Sequence, residues 1–171
     1  IPMVKSRATL ISLASSHIDF KSTQELIARK DLRLVLVRGY DFGPAYQSLV
    51  AELTQQGRVF LEPDALSVAR MLKTSNTYLT IMAPTIFVGA INDDPRVQDL
   101  QDKLNFTPLN ELPWGESGIY ISKNALNSED KETLKNALIR VAKSGVVWKS
   151  SQRYYSADVL KESVRPLDST R

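Results

Sequence analysis

Residues 32–46, reading LRLVLVRGYDFGPAY, constrain this chain more than any other stretch. Four consecutive apolar residues, Leu34 to Val37, run straight into Arg38-Gly39, a short polar turn and an amphipathic segment. A continuous apolar run bounded by turn signals is how a strand covered on both faces reads, and such strands belong to parallel sheets. In open parallel α/β sheets, ligands collect just beyond the carboxyl ends of the strands. The stretch therefore predicts a crevice lined by Arg38, Gly39, Tyr40, Asp41 and Phe42.

The segments around it alternate in the same way. Pro2 opens an extended segment, and ATLISL (8–13) alternates as a strand does. Ser22 and Glu25 form a capping box ahead of a short helix that runs to about Lys30. Tyr46, Leu49, Val50 and Leu53 recur at i, i+3, i+4 and i+7, so a helix follows the Leu32–Arg38 strand and ends at Gly57. Val59–Leu61 is a short strand. Asp64 caps a helix with Ala65, Val68, Ala69 and Leu72 on one face. Thr77–Met82 is a further strand, with Pro84 at its exit. Strands alternating with helices predict βαβ units and a mostly parallel sheet. Beyond it, 96–104 reads as a helix with Val97, Leu100 and Leu104 inward. Residues 107–115 read as irregular, and GIYIS (118–122) as a strand. A long helix capped by Asn127 or Ser128 carries the stripe Leu134, Ala137, Leu138, Val141 and Ala142. A last helix spans 146–155, and the polar tail beyond Leu160 reads as mobile.

Composition excludes several chemistries. At 171 residues the chain can bury a full core without disulfide or metal. It has no cysteine and a single histidine, His17, in a loop. Disulfides, thiolate metal sites, iron–sulfur clusters, a cysteine nucleophile and a two-histidine metal site are therefore all off the list. Net charge is +3, but the basic residues are scattered, which argues against nucleic acid as a partner. Neither phosphate-loop glycine pattern occurs, and no Ser/His/Asp set or carboxylate pair gathers. No cofactor and no catalysis are expected. No apolar run is long enough to span a bilayer. The opening IPMVKSRATL has no signal-peptide layout and no initiator Met, so either a signal was removed or the chain is a piece of something longer.

The order of these features resembles the later part of a type II periplasmic solute-binding protein, of the family that includes polar amino-acid receptors of ABC importers. Pro2 and the 8–13 strand look like that family's Pro-led crossing into its second lobe. Ser22–Leu26 followed by Leu32–Gly39 looks like its short helix, first strand of lobe two and ligand-facing turn. Gly118–Lys123, the helix 129–143, Ser144-Gly145 and Arg153-Tyr154-Tyr155 look like its closing strand, helix, glycine turn and terminal aromatic pair. The resemblance implies a periplasmic-binding-protein-like α/β fold with a hinge segment at 1–7 and lobe two at 8–117. The C-terminal part of lobe one would then be 118–160, with a tail at 161–171. It also implies that the front of lobe one lies outside this sequence, leaving the stripe Leu134–Val141 to be covered, as by a homodimer.

The chain departs from the family at ligand-facing positions. The family's Leu-x-x-Gly-Arg-x-Asp motif falls on Leu72, Ser75, Asn76 and Tyr78, without its Gly, Arg or Asp. Ala83 stands where amino-acid receptors place a carboxylate against the ligand's ammonium. Both changes tell against an α-amino-acid ligand.

Each candidate position also has a plainer reading. Arg38 can hold a carboxylate or phosphate bidentately, or simply cap the sheet edge. Gly39 lets backbone turn or approach a ligand. Tyr40 and Phe42 suit stacking on a ring, or core packing. Asp41 suits a helix cap better than a ligand contact. Thr85 can contact a ligand or start a turn, and Trp114, beside Glu116 at the presumed hinge, is the aromatic lid candidate or a packing residue. The resemblance implies an extracytoplasmic, periplasmic protein that captures a small polar, anionic solute and presents it to a membrane permease. The alternative is a sensing module of a membrane kinase or cyclase, or of a transcription regulator.

Overall fold

The computed structural model describes residues 1–168. Its centre is a five-stranded sheet in the order β4-β3-β5-β2-β6. The strands are β2 (Thr9–Leu13), β3 (Arg33–Val37), β4 (Val59–Glu62), β5 (Tyr78–Met82) and β6 (Leu104–Thr107). β3 lies parallel to both β4 and β5. β2, in contrast, runs antiparallel to both β5 and β6. The sheet is thus mixed rather than mostly parallel. β1 (Pro2–Ser6) leads directly into β2 but pairs in a different sheet.

Burial on both faces of β3 is complete. Leu34 and Leu36 point into one core with Tyr46, Leu49 and Leu53 of α2 (Pro44–Gln55) and Leu26 of α1 (Thr23–Ala28). Val35 and Val37 point into the other core. There they meet Val68 and Leu72 of α3 (Ala65–Leu72) and Phe87 and Ile91 of α4 (Pro84–Ile91). Each such fully buried side chain contributes roughly 1.5–3 kcal/mol of transfer free energy, enough to fix the strand's register against slippage.

The caps follow the local signals closely. Ser22 Oγ accepts the Glu25 amide, while the Glu25 carboxylate reaches back to the Lys21 N–H, one residue earlier than the usual box. Asp64 accepts the Ser67 N–H at 2.7 Å, and Asn127 accepts that of Asp130 at 2.8 Å. One arginine closes the α1–β3 corner. Arg58, 3% exposed, donates to the carbonyls of Leu26, Ile27, Arg29 and Leu32 at 2.6–3.0 Å. Those carbonyls are what the end of a short helix leaves unpaired.

The remainder forms a second, smaller sheet in the order β7-β1-β8, all antiparallel, with β7 at Gly115–Gly118 and β8 at Val164–Arg165. Helices α5 (Ser128–Lys143), α6 (Val146–Tyr154) and α7 (Ala157–Lys161) accompany it. Val4, Leu160 and Val164 pack there with Val147, Trp148 and Tyr155.

Pro84, at the exit of β5, is the first residue of α4, where its missing N–H costs nothing. Three expectations are corrected. Residues 96–104 are not one α-helix: 98–103 is a 3₁₀ helix, and Leu104 begins β6, held there by pairing with Leu13. Val97 and Leu100 do point inward. The strand expected at 118–122 lies at 115–118 instead, because Glu116 and Ser117 pair with Lys5 and Val4 while Tyr120 is 98% exposed. The segment beyond Leu160 is not a loose tail as far as it is described: Ser163 is fully buried and β8 pairs with β1. The stripe on α5 forms, but no residue of that helix is buried.

Candidate functional site

The carboxyl ends of β3, β4 and β5 open on one edge of the central sheet. Val37 pairs with Glu62, and the Arg38 N–H continues that ladder to the Glu62 carbonyl at 2.9 Å. The Leu34–Leu79 register, carried forward, sets Arg38 level with Ala83. Thr9 pairs with Met82, so the antiparallel β2 brings Ala8 and Arg7 to the same edge. Two strand spacings separate the backbones of Arg38 and Arg7, about 10 Å.

The loop after β3 is held by its own chemistry. Gly39 and Gly43 both adopt positive φ, 84° and 96°, which L side chains rarely take. The Asp41 carboxylate accepts the Gly43 N–H at 2.9 Å and the Gln47 side-chain amide at 2.7 Å. Those two donors, the backbone one foremost, hold its carboxyl below the usual carboxylate range. Asp41 therefore braces the start of α2, although the cap residue is Gly43. Phe42 is half-buried and meets Tyr46 edge-on at 5.1 Å, with Tyr40 edge-on to Phe42 at 6.1 Å. Phe42 faces core on both sides of the sheet, so it packs before it stacks on anything else. Arg38 is exposed, and among the described residues its guanidinium has no hydrogen-bond or ion-pair partner.

Thr85 and Trp114 are placed differently from the loop. The Thr85 amide donates to Ser163 Oγ at 3.0 Å, and the two hydroxyls are 2.8 Å apart. Thr85 thus fastens α4 to the segment before β8. Trp114 is half-buried between two guanidiniums, with Arg7 4.7 Å and Arg165 4.2 Å from its ring centroid. Arg7 also forms an ion pair with Glu162, and its N–H donates to the Ser163 carbonyl. Burial, and then the charge of Arg165, lower the Arg7 pKa.

Five of the candidate residues share one loop, and Thr85 lies two positions from Ala83 on the same edge. Arg7, Glu162, Ser163 and Arg165 were not legible in the sequence: contacts between residues so far apart in the chain leave no local pattern. Ala83 supplies no charge to the edge, and Tyr78, level with Arg33 at the opposite end of β5, packs edge-on against Phe60. Grooves of about 500, 470 and 580 Å³ are lined by other residues, the first by Gly89, Val147 and Tyr155 between α4 and α6. Among the described residues no cluster of three or more His, Asp or Glu side chains suits a metal ion, and no helix is long and apolar enough to cross a membrane.

The chain matches no family model and no curated sequence. Its fold, in contrast, is shared with solved solute-binding proteins. It superposes on an ancestral arginine-binding protein bound to arginine with a TM-score of 0.57 at 15% identity, over 91% of this chain and 62% of that one. It superposes on an amino acid ABC transporter substrate-binding protein from Streptococcus pneumoniae, bound to L-arginine, with a TM-score of 0.53 at 18% identity. That match covers 94% of this chain and 56% of that one. The chain therefore has the periplasmic-binding-protein-like α/β fold and spans about six-tenths of the length of those proteins.

Proposed function

We propose that this chain is the greater part of an extracytoplasmic solute-binding protein. It captures a small polar, anionic solute without chemistry and delivers it to the permease of an ABC importer. In this reading residues 8–117 are the second lobe, 118–160 belong to the first, and 1–7 are part of the hinge. Closure of the lobes around the solute is what a permease would recognise.

The observation that carries the proposal is Arg38. It stands at the carboxyl edge of a sheet buried on both faces, beside a loop fixed by Asp41 and two left-handed glycines, and its five N–H donors have no protein acceptor among the described residues. A preorganised loop with an unspent guanidinium suits bidentate capture of a carboxylate. The arginine held by the two superposed proteins also carries a carboxylate. Ala83 puts no carboxylate at its position to pair with an ammonium, which is why an acid rather than an amino acid is proposed.

The test is amide chemical-shift perturbation of the intact chain by a panel of mono- and dicarboxylates, amino acids and sugars. Saturable shifts confined to residues 38–43 and 83–85, given by acids and weakened at least tenfold in Arg38→Ala, are expected. Shifts by amino acids alone would remove the anionic assignment. Absence of any saturable shift across the panel would remove solute capture by this edge.

A further inference from the structure

A second unspent guanidinium lies beside Trp114. The side chains of Arg7 and Arg165 both lie over the Trp114 indole. Arg7 has a partner, Glu162. Arg165 has none: its Nε is buried without a hydrogen bond, and no carboxylate of the described residues reaches its guanidinium. In the register of the small sheet, Lys5 stands between Arg165 and Glu116. A guanidinium whose Nε is buried without an acceptor is costly, because the water lost there is not replaced. Stacking on an indole returns only a fraction of what a hydrogen-bonded ion pair would. The contacts around the stack fix its geometry. Ser163, between Glu162 and Val164 of β8, is bonded to Thr85 and to the Arg7 amide.

We propose that the Arg7–Trp114–Arg165 stack is a carboxylate-binding site at the hinge, in which Arg165 takes the anion and Glu162 competes for Arg7. The planar fork of a guanidinium matches a carboxylate in two parallel hydrogen bonds. The indole supplies an apolar wall for the carbon skeleton of the same molecule. The site does not require Arg38 to bind anything, so it stands or falls separately from the proposed function.

Trp114 is the reporter. In a Trp148→Phe background, leaving Trp114 the sole tryptophan, the chain is titrated with disodium succinate, with sodium chloride at matched ionic strength as control. A saturable change in Trp114 fluorescence with succinate and none with chloride is expected. Arg165→Gln should weaken it at least tenfold, Arg165→Lys by a smaller factor, and Glu162→Gln should tighten it at least threefold. Arg38→Ala should leave it within threefold. If Arg165→Gln unfolds, Arg165→Lys carries the same test. No saturable response, or a response untouched by both Arg165 variants, overturns the hinge site. A response abolished by Arg38→Ala alone places the anion at the 38–43 loop, which overturns the hinge site and leaves the proposed function intact. A response that follows Arg165, with residues 38–43 silent, supports the hinge site and removes Arg38 from the proposed function.

Discussion

The hydroxyl of Ser163 lies 2.8 Å from that of Thr85 and accepts the Thr85 amide at 3.0 Å, joining the first turn of α4 to a segment 78 positions later. The Ser163 carbonyl accepts the Arg7 N–H on its other side. One fully buried residue thus ties the central sheet, the crossing strand and the C-terminal segment together.

Replacing Ser163 with Ala leaves the Thr85 amide and hydroxyl without their partner in a closed site. The expected cost is about 1–3 kcal/mol, read as a lower urea midpoint at unchanged slope. An unchanged midpoint would show that water replaces the serine freely and that the tie is not structural.

Arg58 is the stronger structural test. Its guanidinium satisfies four carbonyls at the α1–β3 corner, and a methionine would fill the volume but leave them bare. Arg58→Met is expected to cost on the order of 3 kcal/mol by chemical denaturation. Arg58→Lys should recover less than half, since one ammonium cannot reach the fan of acceptors that a planar fork reaches. Full recovery by lysine would mean charge, not geometry, holds the corner.

Arg38→Ala should behave in the opposite way. The residue is exposed and unpartnered among the described residues, so the thermal midpoint should stay within a degree or so of the parent. Carboxylate binding should weaken by about 1.5–3 kcal/mol, the scale of a charge-assisted hydrogen bond. A large loss of stability with binding intact would make Arg38 a sheet-edge cap.

Two carboxylates should titrate far below their usual range. Hydrogen bonding from the Arg96 guanidinium takes Asp94 down to about 2, and Arg29 does the same for Asp31. A depressed folded-state value means that the stabilisation is present above pH 3.8 and is lost as the pH falls toward 2. Asp31 is open to solvent, so salt should shrink the effect there more than at Asp94, whose side chain is 15% exposed. Carboxyl NMR titration should show Asp94 returning to its ordinary range in Arg96→Gln. A value still near 2 in that variant would put the backbone N–H, not the guanidinium, in charge.

Tyr46 should show the reverse sign. Burial, and then the negative charge of Asp41, push its phenol up to about 12. Its contribution is full below pH 10 and disappears as the pH rises through 12, so the chain should lose stability in that window. Tyr46→Phe should flatten that limb of the pH–stability curve. An ionisation near 10 by ultraviolet absorbance would show that the phenol reaches water.

The glycine at the end of β7 is a steric requirement. A Cβ on Gly118 would meet the backbone carbonyl of Ile1, which accepts the Ile119 N–H at 2.9 Å. Gly118→Ala should raise amide exchange at Ile119 at least tenfold while leaving β3 and β5 protected, and equal protection in both proteins would refute the clash.

Helix starts and buried strands could be read directly from the chain, because both depend on neighbours a few positions apart. Ser22, Asp64 and Asn127 cap where short-range hydrogen bonding says they should. Leu34–Val37 is buried on both faces because alternate side chains of one strand must point oppositely. The loop at 38–43 followed from the same rule, since turn residues after such a strand mark its carboxyl end.

Direction, edges and the arginine–tryptophan stack needed the folded chain. Nothing in ATLISL says that β2 runs against β5; the pairing of Thr9 with Met82 and of Ile11 with Thr80 does. Leu104 has helical spacing to Leu100 and Val97, but pairing with Leu13, 91 positions earlier, pulls it into β6. The polar 156–168 stretch reads as a tail until Ser163 meets Thr85 and Val164 pairs with Ser6. Arg7, Trp114 and Arg165 become one stack through the antiparallel order β7-β1-β8. A short-range pattern carries the information for a cap or a strand, because the interacting groups are its own members. A site assembled from both ends of the chain has its energy in pairs that no window of sequence contains.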